Sequence, residues 1–472
     1  MLPFILLACL TSLTQAQNPG LVISRGYSDM SALIKKNTPG LFTNLVIAPP
    51  DTLTFETRDF ITQVTVTLTN LVLKDFIVQS SNLNVTFNPI QDSVGLKVSN
   101  FTCNIYSNYS EIGFNINKTG TAITTFSGSS MIVNILLYYE NGHLDYLPDY
   151  TNFTMFIVNS ATISDTLSSS IISAVNTNMR NYWNLPQNQE SIVKQMDINV
   201  DEYVNTLNYN YDVPGTLIYL NGELASNVIK IEETYVSSQL NGSFEVTGMD
   251  IPINQLQPIV LPFRYRPDSY AGMTQVIVSN YTLFSYFTAW NSYNPAINAT
   301  SLPSGYPNFL TTNNGYFPEL LAVYGSRNLS LTTSINGSPM VFVMNRGILV
   351  RMSLKSQLML MNAAGFYQPE LNFTYVFDYM CTPLIKGVLI KGACNNPRSV
   401  KFNIISMVTT VSSLGVKRFI NDLIQYSFFA GNTDFYFPTV PLSYPNGTTF
   451  QNYFVDYSQN YFVISYMPIY KV

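Results

Sequence analysis

Apolar and polar residues alternate along most of this chain. In V-T-V-T-L-T at 64–69, Val64, Val66 and Leu68 fall between Thr65, Thr67 and Thr69. A period of two with β-branched residues on both faces predicts a half-buried strand. Residues 84–88, 111–117, 131–139, 152–158, 215–220, 341–344, 348–354, 357–361, 371–377 and 461–466 have the same character. N-G pairs at 141–142, 221–222, 241–242 and 336–337 offer tight turns between them. Four stretches change to helical spacing. Residues 28–36 place Met30, Leu33 and Ile34 together, before Pro39 and Gly40 interrupt. Residues 165–183 repeat Leu167, Ile171, Val175, Met179 and Trp183, and Pro186 follows as a stop. Residues 280–291 carry Leu283, Tyr286, Phe287 and Trp290, and residues 412–427 carry Val416, Phe419, Ile420, Leu423 and Ile424. Helix and strands thus alternate as one plan used twice. The Pro-rich IPINQLQPIVLPFRYRP (251–267) marks the junction. The expected domains are 17–240 and 263–472, about a linker or central sheet at 241–262.

Composition permits large cores, with hydrophobic residues at 46% and charged residues at 11%. Disorder pairs low hydrophobicity with high charge and is excluded. The net charge of −5 divides unevenly, −9 over 18–240 and +4 over 241–472. Neither half has the concentrated basic patch that nucleic acid requires. Residues 1–16 read as a signal peptide, apolar and then small at Ala16. No later apolar run reaches the roughly 20 residues of a membrane span. A secreted or luminal glycoprotein is expected. Its candidate glycosylation sequons are Asn84, Asn100, Asn108, Asn117, Asn152, Asn241, Asn280, Asn298, Asn328, Asn336, Asn372 and Asn446. A used site must be exposed. In an oxidising compartment Cys381 and Cys394, bracketing a short loop, are the natural disulfide pair. Cys103 is left as a buried free thiol or as one end of an intermolecular bridge.

Catalytic signatures are missing. The single histidine, His143, lies beside the 141–142 turn and reads as a solvated hairpin tip. There is no G-x-S-x-G, H-E-x-x-H, Walker loop or dinucleotide fingerprint. No metal site and no catalytic residue is expected, so a binder or carrier is favoured over an enzyme.

NPGLVISRGYSDM (18–30) resembles the mature start of the bactericidal/permeability-increasing protein family, which includes lipopolysaccharide-binding and lipid transfer proteins. VGLKVSN (94–100), NYDVPG (210–215), LNGSFE (240–245), NYTLFSYFTAW (280–290), FPTVPL (437–442) and QNYFVISYMPIYKV (459–472) resemble further family segments in the same order. The resemblance implies an α+β fold of two tubular lipid-binding domains. Each would be a long helix wrapped by a curved antiparallel sheet, joined by a central sheet into a boomerang. It also implies one apolar pocket per domain for acyl chains. Two departures stand out. Residues 104–380 hold no cysteine, so the family's disulfide to the second helix is missing. The first half is acidic where the bactericidal members are basic, with Lys74, Lys97 and Lys118 left as a candidate basic tip.

The expected pocket walls are Leu33, Ile34, Leu167, Ile171, Val175 and Met179 in the first half. In the second they are Leu283, Phe284, Phe287, Trp290, Val416, Phe419, Ile420 and Leu423. The expected ligand is a phospholipid or other acyl lipid, with no cofactor. Partners would be lipids and a transient membrane or lipoprotein surface, not nucleic acid. Lipopolysaccharide-binding defence and a structural or adhesion glycoprotein are the alternative readings.

Overall fold

The structure is a computed structural model. It describes residues 19–43, 46–49, 51–59, 61–140, 143–152, 157–163, 169–188, 190, 194, 210–213, 216–223, 225, 229–249, 259–265, 272–293, 296–299, 310–337, 339–395, 397–425, 440–442 and 448–469. Residues 1–16, expected to be a signal peptide, together with Leu167 and Asn446, lie outside the described residues. In chain order the elements are β1 (Leu21–Gly26), α1 (Tyr27–Thr43), β2 (Leu53–Asp59), β3 (Thr62–Ile77), β4 (Leu83–Asn88), β5 (Ser93–Gly113), β6 (Ile116–Glu140), β7 (His143–Asn152), β8 (Ile157–Ile163) and α2 (Ser169–Trp183). Next come β9 (Asn210–Asp212), β10 (Ile218–Asn221), β11 (Lys230–Glu232), β12 (Tyr235–Leu240), β13 (Phe244–Val246), β14 (Thr274–Ser279), α3 (Asn280–Tyr293), β15 (Ala296–Ala299) and α4 (Pro318–Tyr324). The remainder are β16 (Leu329–Ile335), β17 (Met340–Met344), β18 (Gly347–Met361), β19 (Tyr367–Lys386), β20 (Leu389–Cys394), β21 (Arg398–Met407), α5 (Ser413–Leu423), β22 (Val440–Pro441), β23 (Thr449–Ser458) and β24 (Tyr461–Ile469). The protein is mixed α and β, mostly sheet with few helices.

The chain forms two compact units. The first comprises 25–208 and 227–237; the second comprises 1–24, 209–226 and 238–472.

In the first unit an antiparallel sheet runs in the order β2-β3-β5-β6-β7, with β4 also on β5 and β8 also on β6. Strict alternation puts Val64, Val66 and Leu68 of β3 inside and Thr65, Thr67 and Thr69 outside. The strands do not run straight. Pairing shifts between Thr69 and Val72 on β3, and between Val98 and Phe101 on β5. Asn70 (φ 52°) and Asn100 (φ 52°) occupy these breaks in left-handed backbone. Asparagine tolerates that region because its short side chain can bond locally. Bulges in neighbouring strands bend and twist a sheet. The curl goes far enough that α2 packs on β2 at one margin and on β8 at the other. α1 packs on β3 and β4. There Tyr27 donates to the Val85 carbonyl (2.6 Å) and its ring meets Phe87 edge-on. Pro39 does not stop α1, which continues to Thr43 although proline removes one helical hydrogen bond.

In the second unit β1, β14, β24 and β23 lie side by side, antiparallel. Every residue of β14 is buried, as suits a central strand covered on both faces. A second sheet runs β15-β16-β18-β19-β20-β22, with β17 on β18 and β21 on β19. Cys381 and Cys394 form a disulfide between directly paired positions of β19 and β20. α3 packs on β10, β13, β14 and β17. Ser412 caps α5, its Oγ accepting from Gly415 N–H at 3.1 Å.

Three expectations need correction. Residues 111–117 are not one strand: β5 ends at Gly113 and β6 begins at Ile116, with Asn115 (φ 60°) turning the chain. Residues 348–354 and 357–361 are a single strand, β18. The N-G at 336–337 is not a hairpin turn, because β16 and β17 both pair with β18 rather than with each other.

Candidate functional site

The interior of the first unit is built from three inward rows. β3 supplies Val64, Val66, Leu68, Leu71 and Leu73; β5 supplies Phe101, Cys103, Ile105, Ser107, Tyr109 and Glu111; β6 supplies Ala122, Thr124 and Phe126, all buried. α2 adds Ile171, Val175 and Met179 to the same core, and Ile34 of α1 packs against it. The helical period that marked these four residues therefore located one shared interior. Leu33 is half-buried. Trp183 ends α2 fully buried, and its neighbour Tyr182 donates to Asp51 at 2.6 Å. Burial first, and then the Asp51 carboxylate, push the Tyr182 phenol pKa upward. Cys103 is buried in this core, and burial pushes its thiol pKa up. A thiol so placed cannot reach another molecule.

The second unit has an aromatic interior. Phe373, Tyr375, Phe377 and Tyr379 occupy alternate positions of β19, so one strand face carries all four. Successive rings stand 5.8, 6.2 and 5.9 Å apart. Helices α5 and α3 approach this column at opposite ends, about 20 Å apart at about 3.3 Å per residue, α5 through the expected wall residue Phe419 and α3 through Tyr286, which was not among the expected walls. Phe419 of α5 reaches Phe373 (6.4 Å) and also Phe317 (5.2 Å). Tyr286 of α3 lies close enough to Tyr379 to help raise its phenol pKa, after burial itself. Leu283, Phe284, Phe287, Val416, Ile420 and Leu423 are buried, and Trp290 is half-buried, stacked on Tyr286 at 6.2 Å. The alternating F-T-Y-V-F-D-Y of 373–379 carried the signal for the column, but period two alone does not distinguish a core stripe from a site.

Its fold is similar to that of lipopolysaccharide binding protein. The match covers 96% of this chain and 100% of that one, with a TM-score of 0.53 and 11% identity. Identity that low shows shared fold alone. Takeout 1 of Epiphyas postvittana matches at TM-score 0.26 and 12% identity, over 38% of this chain and 92% of its own. P47 of Clostridium botulinum A2 matches at TM-score 0.26 and 9% identity, over 95% and 97%. Neither of those scores bears on function. No protein-family model matches the sequence, and no curated protein matches it.

The remaining candidates separate by exposure. Asn84, Asn100, Asn108, Asn117, Asn328 and Asn336 are exposed, and Asn241 and Asn372 half-buried. Asn280 is only 8% exposed, with its amide directed at Asn460, so a glycan does not fit there in the folded chain. Lys74, Lys97 and Lys118 form no tip. Lys118 pairs with Glu111 while Lys97 sits near the other end of β5. From position 97 to position 111 is about 45 Å at about 3.3 Å per residue. Among the described residues no group of three His, Cys, Asp or Glu is placed to hold a metal, and no helix is long and apolar enough to cross a membrane.

Proposed function

We propose that this protein is a secreted, non-catalytic lipid-binding or lipid-transfer protein that holds acyl chains between helices and curled sheet. On this reading the two units are two tubular domains joined by a central sheet. The observation that carries it is the apolar interior of the first unit, rolled so that α2 spans both margins of the sheet. The likeness of fold to lipopolysaccharide binding protein supports it. A chain of about 16 carbons gains roughly 13 kcal/mol gross on leaving water, at about 0.8 kcal/mol per methylene. Moving from a bilayer into an apolar protein interior is nearly neutral by the same count. Entry exchanges contacts among core side chains for contacts with the acyl chain. Such a balance suits reversible uptake and release and needs no reactive group.

Lipopolysaccharide recognition is the second reading, favoured by what the fold neighbour is named for. The charge of −9 over residues 18–240 and the dispersed lysines weigh against it. Solvent extraction or native mass spectrometry of purified protein is expected to release bound lipid, up to two molecules per chain. Recovery of none, with no uptake of labelled lipid, overturns the proposal. Endotoxin binding at physiological salt would move the assignment to the second reading.

A further inference from the structure

The inward row of β5 changes character along its length. Phe101, Cys103 and Ile105 are apolar; Ser107, Tyr109 and Glu111 are not, yet all six are buried. Beside this polar stretch Thr124 of β6 also points inward. The hydroxyls of Ser107 and Thr124 are buried and make no hydrogen bond. Native interiors rarely leave such groups unpaired. Ser107 pairs with Ala122 while Thr124 pairs with Ile105, so the two hydroxyls are diagonal neighbours. Diagonal positions lie about 7–8 Å apart, within reach of one small polar group set between them.

Charge narrows what that group can be. None of the first unit's described lysines or arginines is buried; Lys118, the one opposite this stretch, is exposed and stands across from the buried Glu111 carboxyl rather than beside Ser107 or Thr124. An anionic head drawn into this interior would be desolvated with no buried cation to neutralise it, which is strongly unfavourable. A head carrying hydroxyls or an amide gives up little on entry and satisfies both orphan groups.

We infer that the first unit takes an uncharged amphiphile, its hydroxyl or amide head seated on Ser107 and Thr124 and its chain lying toward Ile105 and Phe101. This rests on the lipid-binding reading and selects the ligand class within it.

The test uses the purified full-length chain at pH 8. It measures retention of labelled monooleoylglycerol and of labelled oleate, an uncharged and an ionised lipid with the same acyl chain. Monooleoylglycerol is expected to bind at least about tenfold more tightly, a ratio typical of one or two hydrogen bonds. Ser107→Ala with Thr124→Val should remove most of that preference by weakening monooleoylglycerol and leaving oleate unchanged. Equal binding of the two lipids by the unaltered protein overturns the inference and leaves lipid binding standing. An unchanged preference in the folded double variant overturns the seat at Ser107 and Thr124. Binding of neither lipid overturns the inference, and the lipid-binding reading falls with it only if solvent extraction of the purified protein also releases no lipid. Should the double variant fail to fold, the preference of the unaltered protein decides alone.

Discussion

Strands β5 and β19 run through the middle of their sheets with the same alternation of buried and exposed residues. Their inward rows differ. β19 presents Phe373, Tyr375, Phe377 and Tyr379, four rings in one column; β5 presents Phe101, Cys103, Ile105, Ser107, Tyr109 and Glu111. Aromatic rings fill their own space and hold each other through stacked and tilted contacts. The β5 row has no such continuous column: Phe101 stacks on Phe76 at its apolar end, while Ser107, and Thr124 on the neighbouring β6, bury hydroxyls that make no hydrogen bond. The alternation decides which residues face inward. The identity of those residues decides whether the interior is a finished core or one that a ligand completes.

Three changes of decreasing size test this contrast, and a titration refines it. Phe377→Ala removes the middle of the aromatic column and should cost about 3–5 kcal/mol, as buried aromatic truncations do. Hydrogen exchange should report the loss over β18 and β19 and leave β3 and β5 protected; equal loss in both would break the contrast. Reducing the Cys381–Cys394 disulfide releases a loop with a sequence separation of 13. That should lower stability by about 3 kcal/mol, seen in urea unfolding as an earlier transition confined to the second unit. Asn70→Ala forces an alanine into left-handed backbone at a bend of β3 and should cost about 1 kcal/mol, whereas Asn70→Gly should cost almost nothing. Thermal unfolding of the two variants side by side checks whether the bends are paid for by residue choice.

The smallest effect concerns the outer face. Tyr106 donates to Asp75, which is followed in strength by a hydrogen bond from Asn104 and by the charge of Lys74. The Tyr106 bond is the main reason the Asp75 carboxyl titrates below its ordinary value. A depressed folded pKa contributes stability above the unfolded value, near 3.9, and that contribution disappears as pH falls through the folded value. An NMR titration of Asp75 should therefore place its midpoint below the usual carboxylate range, and Tyr106→Phe should move it upward, the Asn104 bond and the Lys74 charge remaining. An unchanged midpoint in the variant would remove Tyr106 as the cause.

Much of the architecture was legible where a local period is strong. Val416, Phe419, Ile420 and Leu423 mark α5, and Ser412 caps it as its residue type favours. The Cys381–Cys394 bridge followed from spacing and compartment, and the structure forms it. The β5–β6 turn was missed because Phe114–Asn115 lacks the usual turn dipeptide; the left-handed Asn115 is its only mark. The N-G at 336–337 misled for the opposite reason. That pair permits a tight turn, but the partner chosen by β16 and β17 is β18. At the candidate site, helical spacing found Ile171, Val175 and Met179, yet Ser107, Thr124 and Glu111 gave no local sign of lying inside.

Strand faces, the main helices, the disulfide and the acidic first half follow from the amino-acid order alone, because each depends on residues close along the chain or on composition. The folded chain alone brings β2 and β8 to the same helix, turns three polar residues toward an apolar interior, and sets Phe419 and Tyr286 at opposite ends of one aromatic column. Those outcomes depend on pairing between segments far apart in sequence and on bends that accumulate strand by strand, neither of which a local period records.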